Sequence, residues 1–466
     1  MSSTKSPLAV VSNSSEFSPR PPAAGVHLRP SILGCYLDIW SHIHSLMPMH
    51  DAARAACLSR SFLCSWRCRP NLTLEWKMNI DSILRNHSGI GLKDLKFDFG
   101  DVTFPDVDRW LQVAVTPGIE VLILTQCSEY NFPCSVLSDG VRNSIRDLQL
   151  DTCVFRPTSE LGPLRRLTNL ELSTVSITGD ELECLLSNSL ALEQMKLFDC
   201  NEIIFLKVPC VLKQLNRLNV ISCYMLQEID CKAPNLSIVD ILGENIKLSL
   251  GQPLQMKELS LDHSNVICYA CAELPSIMPN LERLTICSDT EAVNAPMLLT
   301  KFLYLKHLTI EISRSTDSPS FDCLSLVSFF DASPSLETLF LNLRQMIMEH
   351  ESVFGGSSHL RQLPEHQHNC LKIVEMASFS SAKSLVELAC YIVKNAVSLE
   401  CLKLDTFCDW KRCCGEANQR CAAISNDVLK EAYRAVKAII LYIEDKVSPT
   451  TKLTVVEPCT RCHSSE

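Results

Sequence analysis

The sequence predicts an α/β fold in which a short helical N-terminal domain precedes a long array of strand-and-return units. The main observation is an apolar phrase, apolar-x-x-apolar-x-apolar, that recurs thirteen times within residues 92–404. The second is the near-regular step between phrases. The third is the helical spacing of Ile39, Ile43 and Leu46 ahead of the array.

The phrases succeed one another every 20–27 residues as far as Leu305 and every 28–35 residues after it. They begin at Leu92, Ile119, Ile145, Leu167, Leu192, Leu215, Leu236, Met256, Leu281, Leu305, Leu336, Leu371 and Leu399. This period and phrase are the signature of a leucine-rich repeat. The last two apolar residues of a phrase share one face of a short strand, and neighbouring units must stack to cover that face. The sequence therefore predicts a solenoid with a parallel sheet on its concave face.

Composition limits the classes of partner and the compartment. The net charge of −10 and pI of about 5.7 argue against a nucleic-acid binder that neutralises phosphates. No stretch approaches the ~18 uncharged apolar residues of a membrane span, so no membrane is expected. Residues 1–30 are rich in Ser and Pro and lack a signal-peptide core; a disordered leader is favoured over a transit peptide. We expect a soluble protein of the cytoplasm and/or nucleus.

The 25 cysteines are interpreted mainly as buried thiols, because a reducing compartment disfavours disulfides. Four of them, Cys127, Cys153, Cys200 and Cys223, lie three residues after the final apolar residue of a phrase. At that position of a leucine-rich repeat, an Asn or Cys side chain is expected to face inward and bond neighbouring backbone.

A Cys-x-x-Cys-His run, from Cys459 to His463, lies in the tail, residues 459–466. Its letters match a covalent haem motif, but no second ligand cluster is evident in the sequence. We therefore predict no cofactor and no metal site there.

Three short helices are predicted ahead of the repeats. The first carries Ile43 and Leu46 and is broken at Pro48. The second covers residues 50–58, and Ser59 is placed to cap a third that carries Trp66. A helical unit this small leaves apolar surface that usually meets a partner.

Residues 38–60, DIWSHIHSLMPMHDAARAACLSR, with SWRCRPNLTL at 65–74, resemble the F-box of the plant F-box/leucine-rich-repeat family, here residues 31–70. The resemblance implies docking on the adaptor subunit of a cullin-based, SCF-type ubiquitin ligase. The implied adaptor-facing residues are Ile39, Ile43, Leu46, Pro48, Ala53, Cys57, Leu58 and Trp66. The Leu-Pro pair that opens an F-box is Cys35-Tyr36 here. That departure leaves an alternative open: a non-catalytic leucine-rich-repeat interaction scaffold with a degenerate F-box.

The solenoid is predicted to occupy residues 71–370, followed by the last repeats and a C-terminal domain at 371–458. The latter reads as strand, amphipathic helix and strand, then a helix from Asn426 to Tyr442, and it resembles the FBD-type domain of plant F-box proteins. It is expected to cover the open edge of the last repeat. Two polar insertions, 313–325 and 344–367, are expected to be either mobile or placed for binding.

A target protein of unknown identity is expected on the outward residues of the concave face. The candidates are Gln149, Asp151, Lys196, Phe198, Asn219, Ile221, Phe340 and Asn342. Phe198 and Ile221 should lie one strand spacing apart, ~5 Å, as an exposed apolar patch. The alternative is that a loop or the C-terminal segment covers them.

No catalytic residues are predicted. The sequence holds no G-x-S-x-G, P-loop, dinucleotide-binding turn or H-E-x-x-H motif. His359, His366 and His368 share one polar insertion, which explains their spacing without a metal. The role implied by the resemblance is geometric: one end holds the ligase and the other presents the target.

Overall fold

The computed structural model describes residues 42–43, 45–100, 104–126, 128–243, 246–289, 300–313, 321–344, 350–355, 359–406, 421 and 425–463. The predicted leader, the Cys35-Tyr36 pair, Ile39 and Cys127 lie outside the described residues. The chain divides into two compact units, Met1–Arg69 and Pro70–Glu466, which are described separately here.

The N-terminal unit is helical, as predicted. His42, Ile43, Ser45 and Leu46 are helical, and two further helices follow, α1 (Met49–Ala56) and α2 (Arg60–Arg67). The predicted break is present, since Pro48 lies just before α1. Ser59 caps α2 by accepting a hydrogen bond from the Phe62 backbone N–H at 3.2 Å, which confirms the predicted cap.

In the second unit, the described helices of the returns are α3 (Ile80–Asn86), α4 (Phe104–Ala114), α5 (Asp139–Arg142), α6 (Gly179–Ser187), α7 (Val266–Ala272), α8 (Leu274–Ile277), α9 (Val327–Asp331), α10 (Lys383–Asn395) and α11 (Asn426–Tyr442). The described 3₁₀ turns are Cys134–Val136, Ser159–Leu161, Pro253–Gln255, Cys323–Leu326 and Glu444–Lys446. The described strands are β1 (Asn71–Glu75), β2 (Asp94–Asp98), β3 (Val121–Thr125), β4 (Tyr130–Phe132), β5 (Asp147–Asp151), β6 (Cys153–Phe155), β7 (Asn169–Ser173), β8 (Gln194–Phe198), β9 (Phe205–Val208), β10 (Arg217–Ile221), β11 (Glu228–Cys231), β12 (Ile238–Leu242), β13 (Lys247–Leu250), β14 (Glu258–Asp262), β15 (Arg283–Ser288), β16 (His307–Ser313), β17 (Thr338–Arg344), β18 (Ile373–Ala377), β19 (Cys401–Asp405) and β20 (Lys452–Val456).

A single parallel sheet of fifteen strands organises this unit, in the order β1-β2-β3-β5-β7-β8-β10-β12-β14-β15-β16-β17-β18-β19-β20. Each of the thirteen phrases supplies one of these strands, which confirms the predicted α/β repeat fold. The last two apolar residues of a phrase are buried on one face, as Leu148 and Leu150 are in β5, and the residues between them are more exposed. The buried face forms a continuous core because each strand stacks on the next.

The length of a repeat decides the form of its return. The repeats that begin at Leu192, Leu215 and Leu236 span 23, 21 and 20 residues, and their returns contain the short strands β9, β11 and β13. Those strands pair in parallel into a second sheet. Repeats of 25 or more residues, such as those beginning at Leu167 and Leu371, have room for helical turns. A strand advances about 3.3 Å per residue and a helix about 1.5 Å, so an extended return spans the same distance with fewer residues.

A sharp turn at the strand ends places the repeat cysteines. The residue after β5, β8 and β10 has a left-handed backbone: φ is 56° at Thr152, 52° at Asp199 and 56° at Ser222. The next residue is a buried cysteine in each case. Cys200 lies with its Sγ 3.5 Å from the Leu172 carbonyl oxygen of the preceding strand. The predicted inward-facing thiol is therefore confirmed at described positions.

The predicted strand, helix and strand near the C-terminal end are β18, α10 and β19. β20 was not predicted. It pairs in parallel with β19, so residues from beyond α11 cover the edge left by the last phrase. The sheet runs without interruption from β17 to β18, across the domain boundary that the sequence placed at residue 370.

Candidate partner-binding surfaces

Two surfaces hold the residues that the sequence singled out. In the helical unit, exposed apolar side chains lie in the first helical turns and just after α1. Ile43 is 39% exposed, Leu46 72% and Leu58 78%. A helical unit this small cannot bury all of its apolar side chains, and these three are candidates for contact with a partner.

An arginine fixes the chain between the first helical turns and α1. The Arg69 guanidinium donates from Nη2 to the carbonyl oxygens of Met47 at 2.7 Å and Ser45 at 3.3 Å. Arg69 is buried, and desolvation lowers its pKa from the ordinary arginine value. These bonds hold the segment that carries Leu46 and Pro48, because one donor group joins the carbonyl oxygens of Ser45 and Met47.

The remaining predicted adaptor-facing residues differ in exposure. Pro48 and Cys57 are exposed and Ala53 is half-buried. Trp66 is only 6% exposed, so it is a packing residue and does not offer a free surface. Contact of Trp66 with an adaptor stays a prediction, and the structure shows only that little of its side chain is accessible. The physical reason is that an indole is the largest apolar group of α2, and its burial stabilises a small helical unit.

The second surface is the outward face of the fifteen-stranded sheet, which we call the open face. Its central row runs through Gln149, Glu171, Lys196 and Asn219, which pair as direct neighbours on β5, β7, β8 and β10. Lys196 Nζ lies 3.1 Å from Glu171 Oε2. Cross-strand opposite charges of this kind favour the observed register.

A shallow polar depression of about 80 Å³ lies at this point of the open face. It is lined by Asp147, Gln149, Asn169, Leu170, Glu171, Gln194 and Lys196. Gln149 and Lys196 were predicted as target contacts, and the structure brings them together with Asp147, Asn169 and Gln194. The sequence could have indicated those three, because each is two residues before the central-row residue of its own strand and so faces the same way.

An apolar row lies two residues further along strands of the open face and so points the same way as the central row. Phe198 of β8 pairs with Ile221 of β10, and Ile221 pairs with Leu242 of β12. Phe198 is 46% exposed, and the other two are half-buried. The predicted adjacency of Phe198 and Ile221 is therefore confirmed, and Leu242 extends the row. Asp151 and Asn219 are also half-buried outward residues of the open face.

Phe340 and Asn342 lie on β17, far along the sheet from the apolar row. Phe340 is half-buried and outward. Asn342 is 4% exposed; its Nδ2 donates to Glu311 at 3.4 Å, and its Oδ1 accepts from the Ser378 hydroxyl at 3.1 Å. Its contact with a target stays a prediction, and the structure shows that its amide is buried and hydrogen-bonded to Glu311 and Ser378.

The edge of the open face where the main strands begin carries alternating charges. Lys257, Glu282 and Lys306 precede successive strands, and Glu282 lies 2.7 Å from Lys257 and 3.9 Å from Lys306. The hydrogen bond from Lys257 is the main cause of the lowered pKa of Glu282. Pairs this exposed contribute little stability, about 0–1 kcal/mol each, but an ordered row of them disfavours slipped registers.

Within the part of the chain that the structure describes, no helix combines the length and apolar character required to cross a bilayer.

Comparisons with known proteins agree with this architecture. A family model described as the At1g61320/AtMIF1 LRR domain matches residues 83–460, a range that begins after the helical unit. The putative FBD-associated F-box protein At1g61330 of Arabidopsis thaliana is 21% identical over 403 residues, which cover 78% of this chain and 88% of that protein. The F-box protein At5g03100 of the same plant is 25% identical over 173 residues, which cover 36% of this chain and 55% of the relative.

A third relative, the putative F-box/LRR-repeat protein At3g28410 of Arabidopsis thaliana, is 27% identical over 169 residues, with 34% of this chain and 36% of the relative covered. The family model spans most of the chain, and the strands it covers are those of the repeat phrase. The chain therefore belongs to the plant F-box/leucine-rich-repeat family that shares the At1g61320/AtMIF1 LRR domain.

Proposed function

We propose that this chain is the substrate-recognition subunit of a cullin-based, SCF-type ubiquitin ligase. In this proposal the helical unit binds the adaptor subunit and, through it, the cullin, while the open face binds a target protein for ubiquitination. The chain itself performs no catalysis. It works in the cytoplasm and/or nucleus and raises the effective concentration of the target at the ligase.

The observation that carries the proposal is the exposure of Ile43, Leu46 and Leu58 on the helical unit. Exposed apolar side chains are costly for a solitary protein and become favourable when a partner buries them. The F-box names of the relatives support a role for this unit in docking. Arg69 supports it further, since a bonded bend presents Leu46 in a fixed position and lowers the entropy lost on binding.

The open face supports the target-binding half of the proposal. Its apolar row of Phe198, Ile221 and Leu242 begins two residues after Lys196, which lines the polar depression together with Glu171. An apolar centre beside polar groups of both charges is the usual composition of a protein-binding surface.

Co-expression of the full chain with a plant adaptor subunit tests the docking half. The doubly charged variant Leu46→Glu/Leu58→Glu should lose adaptor capture, because a carboxylate cannot be buried without a partner charge. Ser61→Glu, which adds charge at an exposed position of α2, should retain it. Equal capture by both variants would reject the proposed docking surface.

A second experiment separates the ligase subunit from the alternative of a free interaction scaffold. Proximity labelling in plant cells should mark the adaptor, the cullin and a target set with the wild-type chain. Phe198→Asp/Ile221→Asp should lose the target set and keep the adaptor, whereas Val211→Asp, an exposed apolar position outside the open face, should keep both. A target set without adaptor or cullin in the wild type would favour the scaffold.

A further inference from the structure

Three cysteines that are distant in the sequence converge near the C-terminal end of the second unit. The thiols of Cys421, Cys459 and Cys462 all lie within 4.8 Å of one another. All three residues are half-buried. In the sequence the Cys-x-x-Cys run has no third thiol beside it, because α11 and β20 separate Cys421 from it. The prediction of no metal site considered the run at residues 459–463 without Cys421, because only the fold brings that third thiol beside it.

A tight turn holds two of these thiols on the same side of the chain. The backbone N–H groups of Cys462 and His463 both donate to the Cys459 carbonyl oxygen, at 3.2 and 2.8 Å. The Tyr433 hydroxyl of α11 donates to the His463 carbonyl oxygen at 3.0 Å and anchors the turn to that helix. A Cys-x-x-Cys turn combined with a cysteine from elsewhere in the chain is a common way to build a thiolate metal site.

We propose that Cys421, Cys459 and Cys462 bind a Zn²⁺ ion. Tetrahedral Zn²⁺ with Zn–S bonds of about 2.3 Å requires sulfur atoms about 3.8 Å apart, so small side-chain rotations suffice here. Thiolates are soft ligands that select Zn²⁺ over Mg²⁺ or Ca²⁺ in a reducing compartment. Three thiolates leave one position of the tetrahedron for a further ligand. On binding, the three thiols lose their protons to solvent and the metal is not reduced or oxidised.

The bound ion acts as a clasp. It joins Cys421 to the turn after β20, the last strand of the sheet. Metal that binds only the folded arrangement adds its binding free energy to folding, so the clasp stabilises the terminal strand and α11. This role is independent of adaptor or target binding.

Titration of the metal-stripped full chain with Co²⁺, under a reductant that does not chelate metal, tests the site. Thiolate-to-cobalt charge-transfer absorption should appear, Zn²⁺ should abolish it by displacement, and Zn²⁺ should raise the Tm. Cys421→Ser, Cys459→Ser and Cys462→Ser should each weaken or remove the absorption. Cys370→Ser, at another half-buried cysteine, should leave it intact.

The wild-type titration decides the matter even where a serine variant folds poorly. Absence of a thiolate charge-transfer band in the wild type would overturn the proposal. So would a band that survives in all three serine variants, or a Cys459–Cys462 disulfide in protein purified under reducing conditions with no bound Zn²⁺.

Discussion

Arg361 holds the carboxylate of Glu387 with two separate donors. Its Nε donates to Glu387 Oε2 at 2.7 Å, and its backbone N–H donates to Oε1, also at 2.7 Å. The Glu387 side chain lies in α10 and is fully buried. The Nη1 and Nη2 atoms of Arg361 donate to the two carboxylate oxygens of Asp322, at 2.7 and 2.8 Å. Part of the polar insertion at 344–367, expected to be mobile or placed for binding, is thus bonded to two other segments.

Arg361→Met should lower the free energy of unfolding by about 3–5 kcal/mol, because it leaves the Glu387 carboxylate buried without a counter-charge. The double variant Arg361→Met/Glu387→Met should recover most of that loss, since it removes both charges. Urea unfolding followed by circular dichroism measures both. Arg283→Met removes an exposed pair, with Glu258 at 3.8 Å, and should cost no more than about 1 kcal/mol. Equal losses for Arg361→Met and Arg283→Met would contradict this account.

His368 should make the repeat unit less stable in mild acid. Desolvation lowers its pKa below the ordinary value, although Asp331 opposes the shift and His366 adds to it. The folded state therefore favours the neutral ring. The stability that the neutral His368 ring gives the folded state is fully present above the unfolded pKa of about 6.5. This stability is lost as the pH falls through the lower pKa of the folded state.

The measurement is the Tm at a series of pH values between 7.5 and 5, a range chosen on the basis of the ordinary histidine pKa of about 6.5. His368→Phe keeps an aromatic ring beside Phe330 and Tyr391 and removes the titration. Its Tm should fall less steeply in acid than that of the wild type. Parallel slopes for the two proteins would show that His368 is not the source.

The thiols should react with iodoacetamide in the order of their exposure. Cys153 is 3% exposed, and burial raises its pKa to about 12, so little thiolate forms at pH 8. Cys57 and Cys210 are exposed and should be alkylated first. Timed labelling with peptide mass spectrometry gives the order, and urea-denatured protein should label all three at similar rates. Labelling of native Cys153 as fast as Cys210 would be inconsistent with this core.

Trp66 and Leu58 should behave oppositely in the helical unit. Trp66→Ala removes a buried indole and should cost about 3–5 kcal/mol locally, seen as faster hydrogen exchange in α1 and α2. Leu58→Ala removes an exposed side chain and should leave exchange unchanged within about 0.5 kcal/mol. Only Leu58→Ala should then weaken adaptor capture while the unit stays folded. Equal protection in both variants would mean that Trp66 does not stabilise the unit.

Much of the fold could be predicted because the repeat phrase is local. The spacing of Leu218 and Val220 places both on one face of β10 whatever the neighbours do, and the same holds for every phrase. The adjacency of Phe198 and Ile221 followed from the same frame. The burial of Asn342 and Trp66 could not be predicted from that frame, since burial depends on which segments pack over a residue.

The sequence by itself determined the repeat, its parallel strands, the buried thiols of the strand ends and the cap at Ser59, because each depends on residues a few positions apart. Only the tertiary structure decided that β20 completes the sheet, that Arg361 neutralises Glu387 and that Cys421 joins Cys459 and Cys462. Those relationships connect segments separated by helices and loops. The packing of the whole chain sets the distances between these residues, and no repeating pattern in the sequence indicates them.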